Sequence, residues 1–245
     1  MHTLYLGPSW AVQSFETPAG TTDMVKTNLA QELGLTNYTS LAQYACSNFD
    51  QLDEAKSFMA QNLNLAPFRI IFITANSLQD GYKIHAMSQE HWAKKFLTHD
   101  DPIELIRSLE EIFYQQLNDI GVPVALIGGH TDVTCNSHDN ITVIHPSWQN
   151  FLGSLCNLNN FYGWAADVGH RWLQGKYIPP VGPPADFELE QDPSHAVVFA
   201  IHEILKNWKI MEKNKMFCSV HPNIQGNQLF AKKIQQKIND WIDSR

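Results

Sequence analysis

Two uncharged, apolar runs separated by a helical segment constrain the fold of this chain most strongly. Residues 68–73 are rich in isoleucine and phenylalanine and carry a charge only at Arg69, and residues 122–127 are entirely uncharged. Runs of this length and composition are typical of strands that are buried on both faces. Both runs therefore predict central strands of one sheet.

The segment between these runs carries helix signals at both ends. Asp101 suits a helix cap, Pro102 suits the first turn, and Gly121 stands where a helix commonly stops. Its apolar residues recur at helical spacing, at Ile106, Leu109, Phe113 and Leu117. A strand, a helix and a strand in this order predict parallel pairing through a right-handed crossover. We therefore predict a three-layer α/β fold with a mostly parallel, flavodoxin-like sheet and helices on both faces.

Weaker signals extend this pattern to both ends of the chain. Residues 2–7 and 141–144 predict further strands, and Thr21 or Thr22 could cap a helix that runs to Gly34. The last helix is marked by an apolar stripe at Phe230, Ile234, Ile238, Trp241 and Ile242. At 245 residues the whole chain, 1–245, fits one domain, with an aromatic- and proline-rich insertion at about 145–190.

Composition and charge exclude several classes of partner. The net charge is −8 and the basic residues are scattered, which argues against a nucleic-acid surface. No apolar run approaches the roughly 20 residues that cross a bilayer, and no secretory signal is visible at the start. The four cysteines form no Cys-x-x-Cys pair. We expect a cytoplasmic protein with reduced thiols and no membrane span.

A hydroxyl and an imidazole lie at the two ends of the chain. Ser9 follows the first predicted strand in a Gly-Pro-Ser turn, and His221 precedes the last predicted helix. In an open α/β sheet both positions belong to the carboxyl edge of the strands, where such folds place their sites. A serine becomes a good nucleophile when an adjacent base takes its proton. The pair therefore predicts a serine hydrolase.

The order of four short segments resembles the SGNH (GDSL-like) hydrolase family over nearly the whole chain. In that family a serine follows strand one, a glycine follows strand two, an asparagine follows strand three, and Asp-x-x-His-Pro precedes the last helix. The corresponding segments here are Gly7-Pro8-Ser9, Ala45-Cys46-Ser47-Asn48, Thr74-Ala75-Asn76-Ser77 and Cys218-Ser219-Val220-His221-Pro222-Asn223. The individual motifs are degenerate, so their order and strand context carry the resemblance.

This resemblance implies a role for each matched residue. Ser9 would attack a carbonyl carbon, and His221 would act as general base. The side-chain amide of Asn76 would join the Ser9 backbone N–H in an oxyanion hole, and Asn48 stands where the family has its glycine donor. Such donors are typically worth roughly 2.7–4 kcal/mol each. The implied reaction is hydrolysis of an O-acyl ester, such as an acyl group on a carbohydrate, and it requires no cofactor.

The chain departs from the family pattern at several positions. Cys218 replaces the family's aspartate, and a neutral thiol cannot stabilise an imidazolium as a carboxylate does. Pro8 replaces another aspartate, and Thr74 and Ser77 flank Asn76 in place of glycine and aspartate. Three alternatives follow: a Ser-His dyad held by a backbone carbonyl, a carboxylate from elsewhere, or a catalytically silent binding protein. An acyltransferase on the same scaffold is a further alternative.

A polar segment at 128–139 adds candidate residues beside this site. His130, Asp132, Cys135 and His138 are potential metal ligands, but their spacing matches no standard zinc motif, so we predict a polar loop and no metal. If the loop leaves a neighbouring strand, His130 and Asp132 would contact substrate, and Asp132 could replace the missing acid. Trp10, directly after Ser9, suits either substrate recognition or core filling.

Overall fold

A computed structural model describes most of the first two thirds of the chain and its last helix. The part of the predicted insertion beyond residue 158 lies outside the described residues. The residues that the structure describes are 1–14, 27–44, 46–75, 77–84, 102–129, 132–135, 138–156, 158, 210, 213–214, 217–218 and 221–245.

A five-stranded, all-parallel sheet forms the centre of the molecule, as the sequence predicts. The strand order is β2-β1-β3-β4-β5, so β1 and β3 are neighbours at the middle of the sheet. The strands are β1 (His2–Leu6), β2 (Tyr38–Ser40), β3 (Phe68–Ile73), β4 (Val124–Ile127) and β5 (Ile141–His145).

Helices flank the sheet on both faces, and a small hairpin-like pair precedes the last helix. The described helices are α1 (Ser9–Val12), α2 (Leu29–Glu32), α3 (Asn48–Gln61), α4 (Ser77–Ile84), α5 (Pro102–Asn118), α6 (Trp148–Ser154) and α7 (Ile224–Asp243). The antiparallel pair consists of β6 (Phe217–Cys218) and β7 (His221–Pro222). This arrangement is the predicted three-layer, flavodoxin-like fold.

Alternate residues of the central strands belong to two different hydrophobic cores. In β1, Leu4 and Leu6 pack with α3 and α5, whereas Tyr5 packs with α2, α6 and α7. In β3, Phe72 and Ile71 divide between the two cores in the same way. A strand that buries both faces can carry few charges, which explains the uncharged runs seen in the sequence.

The last helix packs through the predicted apolar stripe. Phe230, Ile234, Ile238 and Trp241 are buried, and Ile242 packs partly against the same core. Asn223 caps this helix, since its Oδ1 accepts a hydrogen bond from the Gly226 N–H at 2.9 Å. None of the described helices is both long and apolar enough to cross a membrane.

The helix α2, which precedes Gly34, begins later than the sequence suggests. It starts at Leu29, where Asn28 and Gln31 form a reciprocal capping box with two hydrogen bonds of 3.1 Å. The predicted start at Thr21 or Thr22 is therefore wrong, and those two threonines lie outside the described residues. Asparagine and glutamine satisfy the first N–H groups of the helix as well as the expected threonine would.

Gly7 makes the tight turn that joins β1 to α1. Its φ is +155°, and a Cβ there would lie 2.7 Å from the Cβ of Ala11 and 2.9 Å from the Cβ of Ile73. The Gly7 N–H donates to Gln51 Oε1 at 2.9 Å, and its carbonyl accepts from the Gln43 N–H at 3.0 Å. The strand end is thus held from two sides, and only glycine leaves enough room for α1 to pack on β3.

We predict that Gly7→Ala destabilises the protein by at least about 2 kcal/mol, because the new methyl group overlaps two packed side chains. Gly34→Ala is the matched control. Gly34 has φ +66° but open space around its Cα, so the cost there is about 1 kcal/mol of backbone strain. Urea unfolding of both variants measures the difference, and equal destabilisation would contradict the packing argument.

Candidate active site

Ser9 and His221 meet at the carboxyl edge of the sheet although 212 residues separate them in sequence. The Nε2 atom of His221 lies 3.0 Å from the Oγ atom of Ser9. Both residues are partly buried, so the pair is shielded yet reachable from solvent. When the imidazole proton is on Nδ1, Nε2 accepts the hydrogen bond from the Ser9 hydroxyl. That tautomer is the one from which a base can take the serine proton.

Local structure fixes each member of the pair. Ser9 is the first residue of α1, directly after the Gly7 turn, and the Pro8 carbonyl accepts from the Ala11 N–H at 2.8 Å. His221 is the first residue of β7, and the Asn223 cap of α7 follows two residues later. The two ends of the chain therefore deliver the two side chains on short, well-anchored elements.

The backbone position that pairs with His221 carries a cysteine. Cys218 is the register partner of His221 in the antiparallel pair of β6 and β7. The family resemblance places an aspartate at this position, and a thiol there cannot stabilise the imidazolium that forms when His221 takes a proton.

The predicted oxyanion residue Asn76 lies outside the described residues, and the chain is described up to Ala75, just after the strand β3 that neighbours β1. Thr74 is fixed from β4, because its N–H donates to the Ile127 carbonyl at 2.9 Å and its Oγ1 accepts from the Gly129 N–H at 3.0 Å. The Ala75 N–H donates to Asn48 Oδ1 at 2.6 Å. The backbone is thus held up to the residue before Asn76.

Asn48 does not offer the oxyanion donor that the resemblance implies. Its backbone N–H donates to Asp80 Oδ1 at 2.7 Å, and its Nδ2 donates to Asp80 Oδ2 at 2.8 Å. The whole residue is buried. Because the N–H already has a close acceptor, we correct its role to that of a buried link between α3, α4 and the end of β3.

Trp10 belongs to the core and not to the surface of the site. Its side chain is fully buried and meets the Trp148 ring edge-to-face, with centroids 5.7 Å apart. Trp148 in turn stacks on Phe230 at 4.7 Å. The predicted substrate contact of Trp10 is therefore corrected to the core-filling alternative, because a side chain with no exposed surface cannot meet a ligand.

The loop after β4 lies beside the same edge of the sheet. Asp132 is exposed and accepts a hydrogen bond from Asn150 Nδ2 at 2.5 Å, which ties the loop to α6. The predicted contact residue His130 lies outside the described residues. Within the parts of the chain that the structure describes, no group of three His, Cys, Asp or Glu side chains is arranged to hold a metal ion. Burial raises the pKa of the Cys135 thiol to about 11.

The residue that sequence reasoning missed is Asp80. Its carboxylate is fully buried, and desolvation raises its pKa to about 8 against the opposing effect of two hydrogen bonds from Asn48. The negative charges of Glu110 and Asp50 raise the pKa further. In the sequence, a buried aspartate in the first turn of a helix looks the same as an exposed one. Only the tertiary structure therefore identifies Asp80 as buried.

Two comparisons with known proteins were without a match. No protein-family model matches the chain, and no curated protein matches it. The resemblance to SGNH hydrolases therefore rests on the chain's own motifs.

Burial of Asp80 predicts a pH-dependent stability. Because folding raises the pKa of this carboxyl from 3.8 to about 8, the folded state holds the proton more tightly than the unfolded state does. The contribution of protonated Asp80 to the free energy of unfolding is fully present below pH 3.8 and is lost as the pH rises to about 8. Relative to Asp80→Asn, which cannot titrate, the wild type should lose stability over this window with a slope of at most about 1.4 kcal/mol per pH unit.

Urea unfolding of both proteins at a series of pH values measures this difference. A constant difference in unfolding free energy between pH 4 and pH 8 would contradict the assignment of a raised pKa to Asp80.

Proposed function

We propose that the protein is a serine hydrolase of the SGNH type that cleaves O-acyl esters. The observation that carries this proposal is the 3.0 Å distance between Ser9 Oγ and His221 Nε2. A nucleophilic hydroxyl and a base within hydrogen-bond distance at the carboxyl edge of a parallel sheet are the minimal requirement for acyl transfer through a serine. The order of the four matched segments supports the same conclusion.

The mechanism follows from this geometry. His221 takes the proton of the Ser9 hydroxyl while Oγ attacks the ester carbonyl carbon, and the carbonyl oxygen becomes an oxyanion. His221 then gives its proton to the alcohol oxygen as the C–O bond breaks, which leaves an acyl group on Ser9. Water repeats the sequence, with His221 again as base, and releases the acid.

Two groups would stabilise the oxyanion in the proposed mechanism. The N–H of Ser9 is at the first position of α1, where a helix provides no internal acceptor. The amide of Asn76 is the second donor by the family resemblance, since this residue follows the anchored Thr74 and Ala75. Removal of one such donor typically costs roughly 100- to 1,000-fold in turnover.

The proposed substrate class comes from the family resemblance and from the chemistry of a serine nucleophile. Ester cleavage through a serine requires no metal or cofactor, so we propose none. A small acyl ester, such as an O-acyl carbohydrate, is the proposed substrate. The net charge of −8 opposes a nucleic-acid partner, and we propose a cytoplasmic location.

An acyltransferase would use the same first step, with a second hydroxyl in place of water. Product analysis with added alcohols distinguishes an acyltransferase from a hydrolase.

One observation favours a second candidate function. The register partner of His221 is a cysteine, so the usual carboxylate is absent from that position. In the well-studied Ser-His-Asp triad, replacement of the carboxylate by an amide lowers turnover by a factor on the order of 10⁴. A binding protein that keeps the scaffold but not the activity would fit this replacement. In that case Ser9→Ala should leave ligand affinity unchanged.

We predict that a small fluorophosphonate labels the protein once, on Ser9. The Ser9 oxygen displaces fluoride from phosphorus while His221 takes the proton, so the added mass equals the reagent less hydrogen fluoride. Intact-mass spectrometry should detect this adduct in the wild type and not in Ser9→Ala or His221→Ala. Ser57→Ala, an exposed serine on α3, is the matched control and should label like the wild type.

An adduct that persists in Ser9→Ala would assign the reactive residue elsewhere and would refute the proposed nucleophile. Absence of any adduct at high reagent concentration would favour the binding-protein alternative.

A carboxylate restored at position 218 should increase the reactivity of Ser9. Because position 218 is the register partner of His221, Cys218→Asp offers the imidazole an anionic partner. We predict that the second-order rate constant of labelling rises at least about tenfold. Cys218→Asn provides the matched control without charge. Equal rates in both variants would show that another group already supports His221.

A further inference from the structure

We propose that Gln51 is a positioning residue of this active site: its buried side chain holds the Gly7 peptide, and with it the turn that presents the nucleophile Ser9 to its base. This inference rests on the proposed hydrolase function and names a component that the matched motifs do not contain. Gln51 lies on α3 and acts through the backbone of Gly7 rather than on the substrate.

The side chain of Gln51 takes the place of a backbone acceptor at the end of β1. Near the start of β1, the Thr3 N–H donates to the Asn37 carbonyl, beside β2, at 3.1 Å. Alternate residues of a strand bond to the same neighbour, so the peptide groups of Gly7 also face the β2 side. The Gly7 carbonyl accepts from the Gln43 N–H at 3.0 Å, beyond the last residue of β2. The Gly7 N–H donates to Gln51 Oε1 at 2.9 Å, so α3 completes the ladder where β2 has ended.

Hydrogen bonds on both sides of the Gln51 amide determine its orientation. The Gly7 N–H can only donate, so it needs the amide oxygen. The amide nitrogen donates to Cys46 Sγ at 3.1 Å, and the Cys46 thiol donates to the Gln43 carbonyl at 3.2 Å. Burial raises the pKa of this thiol to about 11, so the sulfur keeps the proton that it donates. The acceptor of the Gly7 N–H is therefore itself held in place.

The chain between Gly7 and Ser9 transmits this restraint. Glycine adopts many backbone conformations, so the φ of +155° at Gly7 has to be maintained by contacts. Pro8, the one residue between them, has φ −74° and a ring that prevents rotation about this bond. A change in the Gly7 peptide therefore changes the position of Ser9, because the proline cannot absorb it.

The base is anchored by elements on the other face of the sheet. The helix α3 packs in the core that contains Leu52, whereas α7, which follows His221, packs in the core that contains Phe230. Loss of the Gln51 contact therefore loosens the nucleophile and leaves the base in place. A displacement of about 1 Å near the reacting atoms can slow catalysis about 100-fold.

A fully buried glutamine is a costly choice for a position that only fills space. Its amide loses water on folding, and an apolar side chain of similar size avoids this cost. An apolar residue at position 51 would, however, leave the Gly7 N–H without its acceptor, and a buried donor without a partner is unfavourable. The need for a fixed turn before Ser9 explains the amide.

The test compares Gln51→Met with Gln51→Glu. Methionine keeps the length of the side chain but offers only a weak sulfur acceptor. The second-order rate constant of fluorophosphonate labelling should fall at least about tenfold, and kcat for p-nitrophenyl acetate should fall with KM within about twofold of the wild-type value.

The glutamate variant is the conservative rescue. At about pH 6 burial keeps its carboxyl protonated, so one oxygen accepts from the Gly7 N–H and the hydroxyl donates to Cys46 Sγ. Gln51→Glu should therefore label within about threefold of the wild-type rate at the same pH. If it labels as slowly as Gln51→Met, the oxygen acceptor is not what matters and the positioning role is overturned.

Thr3→Val is the matched control. Thr3 is also buried and lies at the opposite end of β1, where its Oγ1 accepts from Arg69 Nε at 2.8 Å. This variant should unfold at a lower urea concentration than the wild type but keep the wild-type labelling rate. An equal loss of labelling in Thr3→Val would mean that general destabilisation lowers the rate, and it would overturn the proposal.

The remaining outcomes separate the positioning role from the proposed function. Circular dichroism at the assay temperature confirms folding. If Gln51→Met does not fold, Gln51→Asn replaces it, because its shorter side chain withdraws the oxygen from Gly7 yet remains polar; the same tenfold loss is expected. If the wild type labels on Ser9 and the folded variant labels equally fast, the positioning role is overturned while the hydrolase function stands. If the wild type does not label at all, the hydrolase function fails, and the positioning role fails with it.

Discussion

Burial of both faces of the parallel sheet is the constraint on which the rest of this structure depends. Because apolar residues of β1 and β3 alternate between two cores, helices must cover both faces and the polar chemistry moves to the ends of the strands. At the carboxyl edge, the Gly7 turn brings α1 against β3 closely enough to fix Ser9. The same edge receives the Thr74 turn and the loop after Gly129 from neighbouring strands. The site is thus a consequence of how the sheet is packed.

The sequence alone predicts much of this architecture, for physical reasons that differ between elements. Doubly buried strands must be uncharged, so 68–73 and 122–127 are recognisable, and the helix between them has its proline and glycine at the expected ends. The start of α2 was predicted wrongly because the Asn28 capping box uses residue types that are common in loops. Nothing local separates a tryptophan that meets substrate from one that fills the core, so the burial of Trp10 needed the tertiary structure.

The candidate site shows the same division between local and long-range information. Ser9 and His221 were predictable because each sits next to a strand or helix boundary that the sequence marks, and parallel strands bring such boundaries to one edge. The link from Asp80 through Asn48 to Ala75 joins three segments by side-chain hydrogen bonds that no periodicity encodes. The backbone pairing of Cys218 with His221 is likewise a tertiary feature that the sequence motif alone does not encode.

The most direct test of the central claim is a crystal structure of the protein after reaction with a fluorophosphonate. The account predicts phosphorus bonded to Ser9 Oγ, with the imidazole of His221 beside it and the phosphoryl oxygen directed toward the Ser9 N–H and Asn76. Phosphorus on any other residue, or an unmodified Ser9 in crystals exposed to excess reagent, would contradict the claim that these two residues form an activated nucleophile and its base.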